Sequence, residues 1–168
     1  GASLTGFMSA NSQGFDLIVK FDADNQHKIN DLMKIIKQLN KKEVLFCKGY
    51  RNLNLKESFK RDMPLIRIFG ANALTFISKI TTKNFSLKDV TNGLFGMKSS
   101  VLKKINLKNL KEDYFFEQDL IFRISLQKIK IYQINSEVIY DDETSSMNAL
   151  KSVIPFLINH FQNLFYKN

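Results

Sequence analysis

Two acidic side chains follow the first apolar segment of the chain, in the stretch DLIVKFDADNQH, residues 16–27. Asp22 and Asp24 are two residues apart, and such residues project from the same face of an extended backbone. Gln26 adds an amide oxygen at the same spacing. These three groups are hard oxygen donors that suit Mg²⁺ or Mn²⁺, and a bound diphosphate would complete the octahedron. The alternative is a solvated turn in which Asp24 or Asn25 caps the next helix.

A second group of charges lies in a predicted helix. Asp119 and Arg123 are four residues apart there, so they can form an ion pair. Glu117 lies at another angle and could face a cleft, where a carboxylate can deprotonate an attacking hydroxyl. The alternative is an exposed helix face with one weak ion pair.

Three arginines are candidates for binding phosphate. Arg51 follows Gly49 at a predicted strand end, where a guanidinium can hold a phosphate through two hydrogen bonds. Arg61 and Arg67 lie in or just after the basic loop 52–62, which could close over a ligand. Each arginine alone is also typical of an ordinary surface charge.

The elements that must position these side chains follow an α/β order. We predict a strand over Phe15–Asp22, a helix over 28–40 and a strand over Glu43–Lys48. The predicted apolar face of the helix consists of Ile29, Leu32, Met33, Ile36 and Leu39. Strand, helix and strand in this order predict a parallel pair with a right-handed crossover. Further predicted elements are a helix from Pro64 to about Ile80, a short strand around Leu94–Met97, a helix from Ser99, a helix from Asp113 to Gln127, one or two strands over 128–140, and a C-terminal helix interrupted at Pro155. The fold class is therefore α/β, with a mostly parallel sheet flanked by helices.

Composition sets limits on the class of protein. The chain has 168 residues, of which 44% are hydrophobic, and this suits one globular domain. The net charge of +9 favours anionic partners such as nucleotide phosphates, nucleic acid or an acidic membrane surface, although lysine-biased composition explains it equally well. Cys47 is the only cysteine, so we exclude an intrachain disulfide and predict a buried strand residue. No apolar run approaches the ~20 residues of a membrane span.

Five segments, in order along the chain, resemble family 2 glycosyltransferases of the GT-A fold. The similar branch contains dolichyl-phosphate mannose synthase and bacterial polyprenyl-phosphate or surface-polysaccharide glycosyltransferases. The segments are DLIVKFDADNQH for D-x-D-x-Q, GYRN (49–52) for G-[ST]-R, DVTNGLFGMKSSVLKKI (89–105) for D-x-T-[SN]-G-[FL], FFEQDLIFRISLQKIKIYQI (115–134) for F-x-E-x-[DE]-L-x-x-R, and VIYDDETSSMNALKSVIPFLINHFQNLF (138–165) for Y-x-[DE]-E-x-S-S.

The resemblance assigns expected roles to these residues. Asp22, Asp24 and Gln26 would hold Mg²⁺ or Mn²⁺, and Glu117 matches the catalytic base position, with Asp119 as the second choice. The residues expected to bind the donor phosphates are Asp22, Asp24, Arg51 and Arg67. Those expected on the acceptor side are Asp89, Thr91, Asn92, Gly93, Ser145 and Ser146. The alternatives are a capped turn that uses Gly93, and a plain connector over 140–146.

The resemblance implies an inverting, metal-dependent transfer of a sugar from a UDP- or GDP-sugar to a polyprenyl phosphate or a saccharide. A lipid phosphate is already anionic, so the carboxylate would then orient the acceptor or the metal. The alternative is a non-catalytic remnant that binds nucleotide sugar or membrane. A nucleic-acid partner is not expected, because only the net charge suggests one.

The resemblance also implies a division of the chain. Residues 1–148 match part of a catalytic domain, without the N-terminal part that holds the nucleotide base. Residues 149–168 form a predicted amphipathic helix with an aromatic stripe, which could lie on a membrane or pack on the domain. The expected location is the cytoplasm, at the inner face of the plasma membrane.

Overall fold

The computed structural model describes residues 2–53, 65–105, 110, 115–138 and 158, apart from the side chains of residues 66 and 67. Within these residues the elements in chain order are α1 (Ala2–Ser12), β1 (Leu17–Lys20), α2 (Ile29–Leu39), β2 (Phe46–Tyr50), α3 (Leu65–Thr82), β3 (Phe95–Lys98), α4 (Ser99–Lys104), α5 (Phe116–Leu126) and β4 (Ile131–Asn135). The α/β fold class is confirmed, and the helices and strands predicted within the described residues are present with shifted ends. The predicted C-terminal helix lies outside the described residues, apart from Ile158.

The four strands form one mixed sheet in the order β1-β3-β2-β4. β3 is antiparallel to both β1 and β2, whereas β4 is parallel to β2. Three strands therefore share a direction, and β3 runs against them. The predicted direct pairing of β1 with β2 is wrong, because β3 lies between them.

The packing of Gly96 explains how β3 fits between its neighbours. A Cβ atom at Gly96 would lie 2.8 Å from Leu39 Cδ1 and 2.9 Å from both Ile35 Cγ2 and Val19 Cγ2. The missing side chain lets α2 pack directly on the middle of the sheet. A larger residue would push the helix away from β3.

The core has two layers, one on each face of the sheet. Phe46 belongs to the layer that also contains Phe7, Phe95 and Phe116. Cys47 is fully buried in the other layer, between α2 and the sheet, as predicted. Successive strand residues point to opposite faces, so β2 contributes to both layers.

Helix α2 buries a face that agrees only in part with the predicted one: Leu39 is fully buried, as predicted. Ile29 and Met33 are 70% and 56% exposed, whereas Asp31 and Ile35 are buried. The Asp31 carboxylate accepts hydrogen bonds from the Glu137 backbone N–H at 2.8 Å and from a lysine side chain. These bonds compensate for the burial of the charge, and the predicted apolar face was therefore rotated.

Helix α3 has one buried face and one exposed apolar face. One face is buried and carries Ile68, Ala71, Thr75 and Ser78. The opposite face is exposed and carries the α3 stripe, defined as Leu65, Phe69, Phe76 and Ile80. Across the part of the chain that the structure describes, no helix has the length and hydropathy to cross a bilayer.

Candidate active site

An ion-pair cluster forms where β1 ends and α5 begins. Lys20 is the last residue of β1, and its Nζ lies 2.8 Å from each carboxylate oxygen of Asp22. The same Nζ lies 3.3 Å from Oε1 of Glu117, in the first turn of α5. We call Lys20, Asp22 and Glu117 the open cluster, because their side chains are 15%, 41% and 23% exposed. The structure thus brings together two carboxylates that lie 95 residues apart in the sequence.

The Gly93 backbone packs closely against this cluster. A Cβ atom at Gly93 would lie 2.8 Å from Asp22 Oδ2, 3.1 Å from Lys20 Nζ and 4.0 Å from Glu117 Oε1. The predicted acceptor-side glycine therefore borders the predicted metal-binding and catalytic carboxylates. A side chain at this position would push the ends of the Asp22 and Lys20 side chains away from their present contacts.

The D-x-D turn differs from the extended segment that the sequence predicts. β1 ends at Lys20, two residues before the predicted end, and Asp24 is exposed in a turn. One Asp24 carboxylate oxygen accepts the backbone N–H of Gln26 at 3.1 Å, and Asn25 has a φ of 59°. The N-cap residue of α2 is Lys28, without a side-chain capping bond. Asp24 and Asn25 are thus not the N-cap, and Asp24 stabilises its own turn.

The donor set of this region fits a hard divalent cation. Asp22, Asp24 and Gln26 provide carboxylate and amide oxygens, and Gly93 adds no side chain against Asp22. Among the residues that the structure describes, no three His, Cys, Asp or Glu side chains gather as a ligand set. A cation held here would therefore need further oxygens from water or from a diphosphate, as the sequence analysis expected.

His27 is a neighbour of this turn that the sequence analysis did not select. Burial lowers the pKa of His27, whereas the charges of Asp24 and Asp22 raise it. Its ring packs near Phe21, with 6.2 Å between the ring centroids. Its Nδ1 is buried and has no hydrogen-bond partner within the described part of the chain. The only sequence signal was its place next to Gln26.

A second charged group, the buried cluster, consists of Lys48, Arg51 and Asp89. Arg51 Nε donates to Asp89 Oδ2 at 2.7 Å and Nη2 donates to Oδ1 at 3.1 Å. Lys48 Nζ donates to the Asp89 carbonyl oxygen. Lys48 and Asp89 are fully buried, and the Arg51 side chain is 11% exposed. The cluster joins the end of β2 to the segment before β3.

Burial and ion pairing have opposite effects on the pKa values of Asp89 and Lys48, and a different one of the two dominates in each case. Burial alone would raise the pKa of Asp89, but the charge and hydrogen bonds of Arg51, with Lys48, hold that pKa well below its usual range. Burial lowers the pKa of Lys48 to about 8, although the Asp89 charge acts in the opposite direction. The arginine–carboxylate pair is therefore the stable part of the cluster, whereas the positive charge of Lys48 is held there unfavourably.

The structure gives Arg51 an internal partner. The Nε and Nη2 atoms of Arg51 both donate to the Asp89 carboxylate, and Nη2 also donates to Thr91 Oγ1. A two-pronged phosphate contact by Arg51 stays a prediction, and the paired guanidinium is better placed to hold the segment of Asp89. Lys48 was not among the predicted site residues, because a lysine within an apolar strand is the only sign of it in the sequence.

The acceptor-side segment is a turn that is fixed by its own polar groups. Thr91 donates to Asp89 Oδ1 through its backbone N–H at 3.0 Å and through Oγ1 at 2.8 Å. Asn92 Nδ2 donates to Ser136 Oγ at 2.7 Å, and its Oδ1 accepts the Leu94 N–H at 2.9 Å. These contacts agree with the capped-turn alternative, and they hold Gly93 against the open cluster.

The two candidate bases on α5 have different surroundings. Asp119 is 1% exposed and accepts from Arg123 Nε at 3.1 Å, so the predicted ion pair is confirmed. Glu117 belongs to the open cluster, as described above. The geometry favours Glu117 over Asp119 as the group that can reach a substrate.

Several expected site residues lie outside the described part of the chain. They are Ser145, Ser146, Arg61, the loop 140–146, the side chain of Arg67, and the tail 149–168 except Ile158. Their predicted roles stay predictions.

Comparison with known sequences finds archaeal relatives. The chain is 30% identical over 142 residues to the UDP-N-acetylglucosamine–dolichyl-phosphate N-acetylglucosaminyltransferase of Methanococcus voltae. The matched region covers 84% of the chain and 55% of that protein. It is 28% identical over 147 residues to an uncharacterised protein of Methanocaldococcus jannaschii, covering 87% of the chain and 59% of that protein. The chain thus spans a little over half the length of these relatives. No family model matches it.

Solved structures give the fold. The glucosyl-3-phosphoglycerate synthase of Mycobacterium tuberculosis, in complex with Mn²⁺, UDP and phosphoglyceric acid, matches 96% of the chain with a TM-score of 0.64 and 12% identity, over 53% of that protein. Another structure of this enzyme matches 92% of the chain with a TM-score of 0.59 and 15% identity, again over 53% of that protein. The chain therefore has the fold of the GT-A glycosyltransferases, and its sequence is similar to that of a curated archaeal glycosyltransferase.

Proposed function

We propose that the chain is part of a family 2 glycosyltransferase that moves a sugar, with inversion, from a nucleotide-diphosphate donor to a polyprenyl phosphate. The observation that carries the proposal is the meeting of Asp22 and Glu117 beside Gly93, at the end of β1. Donor-side and acceptor-side groups must converge in this way for one displacement at the anomeric carbon. The named archaeal relative, which uses a dolichyl phosphate, supports this choice of acceptor.

The donor site lies at the D-x-D turn. Asp22, Asp24 and Gln26 would hold Mg²⁺ or Mn²⁺, which neutralises the charge of the leaving diphosphate. UDP is favoured over GDP as the nucleotide, because the curated relative takes a UDP-sugar and the solved neighbour binds UDP with Mn²⁺. Arg67 remains a candidate for contacting the phosphates.

Glu117 is the acceptor-side carboxylate of the proposal. With a hydroxyl acceptor, it would accept the proton as the oxygen attacks. With a lipid phosphate, no proton needs to leave, and Glu117 would orient the acceptor. The segment that contains Asp89, Thr91, Asn92 and Gly93 would form the wall of this side, and Ser145 and Ser146 would lie at its entrance.

The α3 stripe supports an acceptor that resides in a membrane. Its four exposed apolar side chains share one side of the helix, and Lys79 and Lys83 lie near its end. Aromatic side chains flanked by lysines suit the surface of an anionic bilayer. The stripe supports contact with a membrane surface, and the inner face of the plasma membrane stays the proposed location.

The proposed activity can be tested with the full polypeptide that contains this sequence. UDP-N-acetylglucosamine, UDP-glucose and GDP-mannose are each supplied with Mn²⁺ and dolichyl phosphate in vesicles, and the glycolipid product is measured. We expect Asp22→Asn and Glu117→Gln to lower the rate by at least about 100-fold. Matched controls are Asp16→Asn, which changes an exposed carboxylate, and Glu137→Gln, whose carboxylate pairs with Lys28 at the surface.

The outcomes separate three cases. Product formation that requires Asp22 and Glu117 supports the proposal. Metal-dependent nucleotide binding without product from any donor supports the non-catalytic alternative. Wild-type rates in both site variants contradict the proposed site.

The membrane contact has its own test. We expect the double variant Phe69→Ser, Phe76→Ser to reduce co-sedimentation with anionic vesicles several-fold. Each aromatic side chain that inserts into the bilayer surface contributes to interfacial binding. Met8→Ser, which removes an exposed apolar side chain from α1, is the control. Equal sedimentation of all three proteins would remove α3 from the membrane contact.

A further inference from the structure

We propose that Lys20 is a built-in competitor for the divalent cation, which makes cation binding depend on the donor diphosphate. This inference rests on the proposed function, because it concerns the same Asp22 carboxylate. In the structure, the Lys20 ammonium is the positive charge that pairs with Asp22. A metal ion and this ammonium would seek the same oxygens.

The geometry of the pair shows why the two cations compete. Lys20 Nζ lies 2.8 Å from Oδ1 and 2.8 Å from Oδ2 of Asp22, so it contacts both oxygens at once. A metal ion bound to either oxygen would lie close to a positive ammonium, and like charges at such short range repel strongly. The Lys20 side chain is 15% exposed and that of Asp22 is 41% exposed, so solvent screens this repulsion only in part.

Glu117 provides a second partner for the displaced ammonium. Its Oε1 is already 3.3 Å from Lys20 Nζ. The lysine can therefore leave Asp22 without becoming an unpaired, partly buried charge. Oxygens of an arriving diphosphate are further acceptors for the same ammonium.

The arrangement predicts an order of preference among ligands. A divalent cation alone must displace Lys20 from Asp22 and binds weakly. A diphosphate brings oxygens for the cation and for the lysine together, so both ligands bind better in each other's presence. A purely structural lysine would instead change the stability of the fold and leave this coupling unaltered.

The test measures Mn²⁺ binding rather than turnover. Free Mn²⁺ is followed by its electron paramagnetic resonance signal during titration of the full polypeptide, with and without UDP. We expect Lys20→Met to raise the affinity for Mn²⁺ without UDP by about fivefold or more, because the competing charge is gone. The ratio of the affinities with and without UDP should fall by a similar factor.

Lys28→Met is the matched control. Lys28 also forms an ion pair, with Glu137, but at the exposed surface. We expect its Mn²⁺ affinity and coupling to equal those of the wild type. If Lys20→Met does not fold by circular dichroism, Lys20→Gln, which keeps a polar end, replaces it.

Two results decide between this inference and the proposed function. Unchanged or weaker Mn²⁺ binding by a folded Lys20 variant overturns the competitor role. Asp22→Asn separates the two ideas: if it binds Mn²⁺ and UDP as the wild type does, the metal site of the proposed function is wrong. If Asp22→Asn loses binding while the Lys20 variant gains none, only the competitor role fails.

Discussion

The two charged clusters contain similar groups in opposite surroundings. Each combines lysine or arginine with one or two carboxylates near the carboxyl end of a strand, β1 in one case and β2 in the other. Lys48 and Asp89 of the buried cluster are closed from solvent, whereas Asp22 in the open cluster is 41% exposed. The members are Lys48, Arg51 and Asp89 in the buried cluster, and Lys20, Asp22 and Glu117 in the open one.

The difference in burial separates a positioning role from a ligand-binding role. Removing one partner of a buried ion pair leaves an uncompensated charge, so such pairs cannot exchange partners easily. The Arg51–Asp89 pair therefore fixes the turn that presents Gly93. Partly exposed pairs contribute little net stability, so the carboxylates of the open cluster can change partners when a ligand arrives.

The largest expected effect comes from breaking the buried cluster. Asp89→Asn removes the charge that faces Arg51 and Lys48, and we expect the free energy of unfolding to fall by about 3–5 kcal/mol. Urea denaturation measures this change. Asp22→Asn should alter stability by less than about 1 kcal/mol, since its ion pair is partly exposed. Equal losses in the two variants would remove the distinction between the clusters.

A smaller effect on stability is expected from the titration of Lys48 in the buried cluster. Burial lowers the pKa of Lys48 to about 8, whereas an unfolded lysine titrates near ~10.4. Between these values the unfolded chain binds more protons, so stability should rise with pH, and the cost of the buried charge is fully present below pH ~8.

The corresponding experiment compares the wild type with Lys48→Met from pH 7 to 10.5. The wild type should gain stability relative to the variant, on the order of 2 kcal/mol over this range. The comparison cancels the titration of the other lysines and tyrosines. A difference that stays flat with pH would show that Lys48 is not held in an unfavourable charged state.

The smallest effect on stability is expected from adding a methyl group at Gly93, next to the open cluster. Gly93→Ala would place a Cβ atom 2.8 Å from Asp22 Oδ2 and 3.1 Å from Lys20 Nζ. Both contacts are with side-chain ends that can move, so we expect a stability change below about 1 kcal/mol. The affinity for Mn²⁺ and UDP, measured by calorimetry, should fall several-fold.

Gly70→Ala is the control for this substitution. Gly70 lies in α3, and a Cβ atom there would have nothing within 4 Å. It should leave ligand binding unchanged and stabilise the helix by up to about 1 kcal/mol. Unaltered binding by Gly93→Ala would place the ligand elsewhere than beside Asp22.

Local signals predicted much of the fold and some of the site. The burial of Cys47 followed from its apolar neighbours, and the Asp119–Arg123 pair followed from helical spacing. The position of β3 between β1 and β2 did not follow, because it depends on the packing of Gly96 against α2, a contact distant in sequence. The face of α2 was misjudged because burial of Asp31 needs the backbone of Glu137.

The site shows the same division. The resemblance to family 2 glycosyltransferases selected Asp22 and Glu117, and the fold brings them together. Lys20 was missed because a lysine near a strand end gives no sign of where its ammonium will point. Lys48 was missed because a fully buried lysine is rare and depends on partners from another segment.

The most direct test of the account is the position of Mn²⁺ in crystals soaked with Mn²⁺ and UDP. Anomalous scattering locates the ion without reference to any assigned role. The account predicts a peak at coordination distance from the Asp22 carboxylate, with Lys20 Nζ moved away from its 2.8 Å contact and towards Glu117 or the diphosphate. A peak at another place, with the Lys20–Asp22 pair intact while UDP is bound, would contradict it.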